Sequence, residues 1–271
     1  MPTVKLSVTL KDLSKMIDVS LLHPTMTDAE ILAGLEAAKT CVRRSDCLHE
    51  AYSVSVAHAA LIGTDVLVCP VIGPPAGDSS VAVKVFEATE VVKSGAQEVN
   101  MVINIGKALS GEWDYATAEI KQIKDAVVAG GAILKVIFEV RSHRRSPSSQ
   151  LVVNSDRFPT RLPYHPPLPD LLRARRRVRE DFDWLWAQPT TKSMYSYAGA
   201  TDHNLKLMRK HSSEKVQVKA AGGVRTLNGL LCARALGATR VGATTMREML
   251  QEAARRGIGK DPKGVEVVIP E

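Results

Sequence analysis

Two lysines stand inside runs of β-branched residues, and these are the first places where this sequence could do chemistry. Lys135 interrupts Ile133-Leu-Lys-Val-Ile-Phe138, and Lys219 closes Val216-Gln-Val. A lysine in such a run faces a buried interior, where the cost of its charge lowers its pKa toward a neutral amine that can attack a carbonyl or shuttle a proton. One such lysine is more often a snorkelling or salt-bridged side chain at a strand edge. Two at corresponding depth, with Asp18 and Glu139 also on strands, point to a site.

Glycine-bearing loops stand beside one of these lysines. Ala221-Gly-Gly-Val-Arg225 begins one residue after Lys219, with Thr226 placed to cap the next helix, and Arg240-Val-Gly-Ala-Thr-Thr245 offers a similar loop one strand–helix unit later. Glycines let backbone amides approach an anion, and a helix N-terminus adds partial positive charge. A lone Gly-Gly is most often only a turn. Two such loops in series near the C-terminal end of the chain match the usual phosphate site of a (β/α)8 barrel.

The elements that must position these residues alternate in kind. Met16–Leu22, Val66–Ile72, Glu98–Ile103, Ile133–Phe138, Val216–Ala220 and Thr239–Ala243 read as strands. Between them lie amphipathic helical segments: Ile31, Leu35 and Ala38 behind a Thr27–Glu30 capping box; Val81, Val85, Ala88 and Val92; Ala116, Ile120, Ile123 and Val127. Further helices are expected near Asp202–Lys210, from Leu227, and near Met246–Arg256. Continuous Val/Ile runs separated by helices predict parallel strands buried on both faces. Two gaps, at residues 41–52 and 180–192, would hold the missing second and sixth strands of a TIM (β/α)8 barrel, both poorly legible. An open doubly wound sheet is the competing architecture, but no GxGxxG follows an early strand.

Composition narrows the function classes. The 271 residues are 45% hydrophobic and 24% charged, enough for one large α/β domain spanning 1–271. No apolar run reaches the roughly 18 residues of a membrane helix, and the N-terminus lacks a secretory apolar region, so a cytoplasmic protein away from membranes is expected. Cys41, Cys47, Cys69 and Cys232 form no CxxC pair and read as reduced thiols, with no metal site. The net charge of +7 suggests nucleic acid until it is located. Residues 141–179 hold ten Arg, no Lys and two Asp, a local +8, so the rest of the chain carries 7 − 8 = −1. That stretch also has six Pro and no Gly, and no helix or strand period. It reads as an aberrant segment at 141–180, either of the composition an out-of-frame or unspliced reading would give or a real segment that has lost the fold's pattern, and it is not expected to pack as barrel helix and strand. As a nucleic-acid arm it lacks interleaved aromatics and lysines, so no nucleic-acid partner is expected.

Several segments together carry a family resemblance: Val71-Ile-Gly-Pro-Pro75, Val83-Lys-Val-Phe-Glu-Ala88, Glu98-Val-Asn-Met-Val-Ile-Asn-Ile-Gly106, Leu134-Lys-Val-Ile-Phe-Glu139, Val218-Lys-Ala-Ala-Gly-Gly-Val-Arg-Thr226 and Gly237-Ala-Thr-Arg-Val-Gly-Ala-Thr244. The chain resembles deoxyribose-phosphate aldolase over roughly residues 15–40, 51–140 and 195–250. The resemblance implies a TIM-barrel class I aldolase that cleaves 2-deoxy-D-ribose 5-phosphate to acetaldehyde and glyceraldehyde 3-phosphate through a lysine Schiff base, without metal or cofactor. It implies that Lys219 is the second lysine, whose charge depresses the pKa of the Schiff-base amine, that Lys135 is the strand-five lysine, and that Asp18 is the acidic residue of the first strand. Gly222, Gly223, Arg225, Gly242, Thr244 and Thr245 would hold the substrate phosphate, and Cys47 matches the cysteine of the second strand.

The chain departs from that pattern in three places. Asn100 stands where the family has a proton-relaying aspartate, and an amide is no general base. The second strand is barely legible around Arg43–Glu50. The family's strand-six Val-Lys-Thr-Ser-Thr, which carries the Schiff-base lysine, is replaced by Asp181-Phe-Asp-Trp-Leu-Trp-Ala-Gln-Pro189. Lys192 is the only lysine between Lys135 and Lys206, so it is the candidate nucleophile by chain order, although it sits closer to Gly199-Ala-Thr201 than the family pattern has it. The expected function is therefore that of a deoxyribose-phosphate aldolase, impaired in this chain. The alternative is a catalytically silent phosphosugar-binding barrel. A homo-oligomer is compatible with either.

Overall fold

A computed structural model describes residues 3–41, 46–138, 184–187, 200–212 and 214–269. Lys192, Glu139 and the Arg/Pro-rich stretch at 141–180 lie outside the described residues. In chain order the elements are β1 (Thr3–Val8), α1 (Leu10–Met16), β2 (Ile17–Leu21), α2 (Asp28–Cys41), β3 (Asp46–Glu50), α3 (Val54–Leu61), β4 (Leu67–Ile72), α4 (Val81–Lys93), β5 (Glu98–Val102), α5 (Ile105–Leu109), α6 (Trp113–Ala129), β6 (Ile133–Ile137), β7 (Trp184–Ala187), α7 (Asp202–His211), β8 (Gln217–Ala221), α8 (Leu227–Ala235), β9 (Arg240–Ala243), α9 (Met246–Arg255) and β10 (Lys263–Val268).

Strands β2 to β9 pair in sequence order, and β9 closes on β2, giving an eight-stranded barrel. Each pairing is parallel, a geometry that needs a crossover rather than a tight hairpin between consecutive strands. The two gaps in the sequence pattern are filled by β3 and β7, so the (β/α)8 architecture holds and the doubly wound alternative falls. Outward-facing residues such as Val19, Val68, Val99, Leu134, Val136, Val218 and Val241 join Leu35, Leu61, Ala88, Ile120, Ile123, Leu230 and Met249 of the helices in one buried core. Period-two alternation then leaves the other face of each strand for the barrel interior.

Local signals worked as physics requires. Thr27 N–H donates to Glu30 Oε2 at 2.7 Å and Glu30 N–H to Thr27 Oγ1 at 3.3 Å, the reciprocal pair of a capping box. The expected buried faces of α2 (Ile31, Leu35, Ala38) and α6 (Ala116, Ile120, Ile123, Val127) are buried. In α4 the buried line is Lys84, Ala88 and Val91, and of the expected face only Ala88 is buried, with Val81, Val85 and Val92 half-buried. That rotation is possible because Lys84 finds an ion-pair partner. One feature has no counterpart in the sequence reading: β1 and β10 pair antiparallel, Thr3 opposite Val268, as a two-stranded sheet outside the barrel.

Candidate active site

Inward positions that carry polar or thiol side chains are Cys69 on β4, Asn100 on β5, Lys135 on β6 and Lys219 on β8. Two residues further along the same strand faces come Val71, Val102, Ile137 and Ala221, which pack together as a buried apolar cluster joined by Leu22 and Ile105. The polar layer thus lies beneath an apolar collar at the C-terminal ends of the strands, the end where barrels of this type work. Lys135, Lys219, Asp18 and Asn100 are each wholly buried, as the strand positions of the two lysines require.

These residues form one charge network. Lys219 Nζ pairs with Asp18 Oδ2, and Lys135 Nζ pairs with Glu98 Oε2 while lying 3.8 Å from Asp18 Oδ2. Arg240 Nη1 reaches Asp18 Oδ1 at 3.4 Å and donates to the Lys15 carbonyl at 2.8 Å. Among the described residues of this network three cationic groups meet two carboxylates, a formal +1, which favours an anionic occupant. Asn100 Nδ2 donates to Cys69 Sγ at 2.9 Å and to the Pro70 carbonyl at 3.4 Å, while its buried Oδ1 has no hydrogen-bond partner among the described residues. At the barrel rim, burial and the neighbouring Glu87 push the Glu50 carboxyl up, and burial pushes up Glu87 itself.

The glycine loops lie directly beyond this layer. Gly222 and Gly223 adopt φ of 80° and 88°, a left-handed turn in which glycine avoids the Cβ strain of other residues. Thr226 caps α8 by accepting from the Gly229 amide at 3.1 Å. Thr245 Oγ1 donates to the Arg225 carbonyl at 2.9 Å, tying the loop after β9 to the loop after β8. Arg240–Ala243 is strand rather than loop, and Gly242 faces Ala221: a Cβ there would stand 3.1 Å from Ala221 Cβ and 3.8 Å from Lys219 Cε. Arg225 and Thr244 are exposed.

No family model matches the chain. Among curated proteins it is similar to a deoxyribose-phosphate aldolase of Rhodopirellula baltica, 39% identical over 245 residues, which cover 90% of this chain and 90% of that protein. The chain belongs to the deoxyribose-phosphate aldolase family. A second relative of that name, from Caldanaerobacter subterraneus, is 33% identical over 257 residues, covering 94% of this chain and all of that protein. Among solved structures, an aldolase designated QR15 superposes with a TM-score of 0.71 at 25% identity, over 91% of this chain and 97% of that one. The tetrameric deoxyribose phosphate aldolase of Aeropyrum pernix, 21% identical, shares the fold with a TM-score of 0.70 over 91% of this chain and 92% of that one.

Within an aldolase of this family, β7 is the sixth barrel strand. Its residues are Trp-Leu-Trp-Ala, with no lysine, and Trp186 lies in register between Ile137 of β6 and Lys219 of β8. The lysine nearest in sequence, Lys192, falls outside the described residues. The structure gathers Asp18, Asn100, Lys135 and Lys219 in the barrel, with the loops bearing Gly222, Gly223, Arg225, Thr244 and Thr245 adjoining. Sequence reasoning passed over Glu98, Arg240 and Cys69. Glu98 was detectable, since it precedes Asn100 by two residues on the same face of one strand. The reach of Arg240 across to β2 left no trace in the sequence.

Proposed function

We propose that this chain catalyses the reversible cleavage of 2-deoxy-D-ribose 5-phosphate to acetaldehyde and glyceraldehyde 3-phosphate through a lysine Schiff base, at a reduced rate. The observation that carries this reading is the buried Lys135–Asp18–Lys219 cluster beneath an apolar collar, with the glycine loops of β8 and β9 beside it. A neutral amine condenses with the substrate's aldehyde carbon and releases water. The hydroxyl on the third carbon gives up its proton as the bond between the second and third carbons breaks. The phosphorylated aldehyde departs, and the remaining enamine takes a proton and is hydrolysed to acetaldehyde, freeing the amine.

In this reading Lys192 is the amine and Lys219 a cationic neighbour that favours its neutral form. Lys135 and Asp18 complete the charged floor. Gly222, Gly223, Arg225, Gly242, Thr244 and Thr245 hold the phosphate. Asn100 can orient a hydroxyl or water but cannot accept the proton, which is one reason to expect a slow enzyme. The absence of lysine from β7 is the other, and both favour the second reading, a phosphosugar-binding barrel without catalysis. A cytoplasmic location fits Cys47, Cys69 and Cys232, none of which is in a disulfide, and no helix among the described residues is long and apolar enough to cross a membrane. Assembly into a homo-oligomer belongs to the proposal too.

Acetaldehyde with borohydride is the test. A Schiff-base enzyme exchanges one amine hydrogen of a single lysine for an ethyl group, a net gain of C2H4, and Lys192→Ala removes it. Phosphosugar binding without any covalent gain would replace the aldolase reading with the silent one.

A further inference from the structure

Away from the charged floor, a second buried ion pair holds the rim of the barrel. Lys84 of α4 and Glu119 of α6 are both wholly buried and pair at 2.8 Å. Lys84 Nζ also donates to the Gly77 carbonyl, in the loop after β4, and to the Val102 carbonyl at 2.9 Å, at the end of β5. The other carboxylate oxygen of Glu119 accepts the Asn104 amide at 3.0 Å. One turn further along α4, Glu87 accepts the Gly73 amide at 3.0 Å. Two helices therefore grip both rim segments, 73–77 and 102–104, through backbone atoms. The fit is close. Gly77 has φ of 65°, and a Cβ there would lie 1.9 Å from the Ile103 carbonyl; one on Gly73 would lie 3.0 Å from Lys84 Cε.

A buried ion pair is weak evidence for stability, because apolar residues of similar volume fill the same space at lower desolvation cost. What apolar residues could not supply is the set of bonds to Gly77, Val102 and Asn104. Val102 is a member of the apolar collar over the site. We propose that Lys84 and Glu119 are positioning residues that fix the β4–β5 side of the barrel mouth in the shape that receives the carbon chain of the substrate. This rests on the aldolase reading above, which supplies the substrate.

Single substitutions such as Lys84→Met leave a buried charge alone, and loss of folding would be uninformative. The double variant Lys84→Met/Glu119→Leu removes both charges and tests the clamp in a folded barrel. The variant should stay folded, with a thermal midpoint lowered by the backbone bonds it no longer makes. The KM for 2-deoxyribose 5-phosphate should rise about tenfold with kcat changed less than threefold, since the collar meets substrate but no reacting atom. Amide exchange should quicken in peptides covering 73–80 and 102–106 and stay unchanged in β8 and β9. Unchanged exchange at the rim, unchanged KM, or exchange that quickens evenly through the barrel would each overturn the proposal. If the wild-type chain neither turns over substrate nor traps acetaldehyde, the aldolase reading fails on its own. The exchange result and the affinity for glyceraldehyde 3-phosphate, expected to weaken about tenfold in the double variant, then decide the clamp separately.

Discussion

Asn100 shows how one atom type limits a site. Its amide is wholly buried beside Lys135 in strand register, with Nδ2 engaged by Cys69 and Pro70 and Oδ1 without a hydrogen-bond partner among the described residues. Replacing the amide by a carboxylate keeps the shape and supplies a proton acceptor, and positioned acid–base catalysis contributes roughly 100–10,000-fold. Asn100→Asp should therefore raise kcat for 2-deoxyribose 5-phosphate by at least tenfold if the Schiff-base amine is in reach; steady-state kinetics on the purified variant checks it, and no gain would mean that the amine rather than the relay limits the rate. At Gly223 the argument is conformational. With φ of 88°, a β-branched residue there is strained, by roughly 1–2 kcal/mol, and the loop would re-form with its amides turned aside. Gly223→Val should weaken binding of glyceraldehyde 3-phosphate by about tenfold or more, the cost of losing one charge-assisted bond of roughly 1.5–3 kcal/mol. Calorimetry at low salt measures this, and unchanged affinity would put the phosphate elsewhere.

At the scale of elements, β3 contributes a side chain whose ionisation matters to folding. His49 pairs in register with Leu21 and Pro70, is wholly buried, and neither ring nitrogen has a hydrogen-bond partner among the described residues. Burial pushes its pKa down from 6.5 to about 4. The unfolded chain therefore binds this proton first as pH falls. The contribution of His49 to stability is complete above pH 6.5 and is lost between there and about pH 4, a change of order 3 kcal/mol. The raised carboxyls of Glu50 and Glu87 act in the opposite sense, because the folded state takes up their protons first. The difference between wild type and His49→Leu isolates the histidine. Urea unfolding at pH 7.5 and pH 5 should show the wild type losing more stability than the variant on acidification, and parallel losses would remove His49 as the cause.

The whole molecule is a closed barrel whose interior is charged on the floor and apolar at the rim, with a formal +1 among Lys135, Lys219, Arg240, Asp18 and Glu98. Closure matters to that balance. Asp18 on β2 meets Lys219 on β8 and Arg240 on β9 because β9 returns to β2, joining residues more than two hundred positions apart in the chain. The same closure brings Val71, Val102, Ile137 and Ala221 into one collar.

Much of this was legible in the linear chain because it rests on short-range periodicity. The β-branched runs, the Thr27–Glu30 capping box and the buried faces of α2 and α6 follow from spacing within a few residues. The sequence also marks Lys135 and Lys219 as buried, since both interrupt runs of β-branched residues, but which face of the strand they occupy follows only from the barrel and its charged partners. Strands β3 and β7 were visible only as gaps that an eight-fold architecture had to fill; Asp46-Cys-Leu-His-Glu50 carries three polar residues in five, and its strand character comes from pairing with β2 and β4. The partners of the buried charges were decided by tertiary structure alone. Glu98 for Lys135, Asp18 for Lys219 and Arg240, and Glu119 for Lys84 lie on separate elements, and a Coulomb contact across a barrel leaves no period in the sequence. Lys84 makes the point most plainly: periodicity assigns the core of α4 to its valines, while an acceptor on α6 and two backbone carbonyls made the lysine the buried residue.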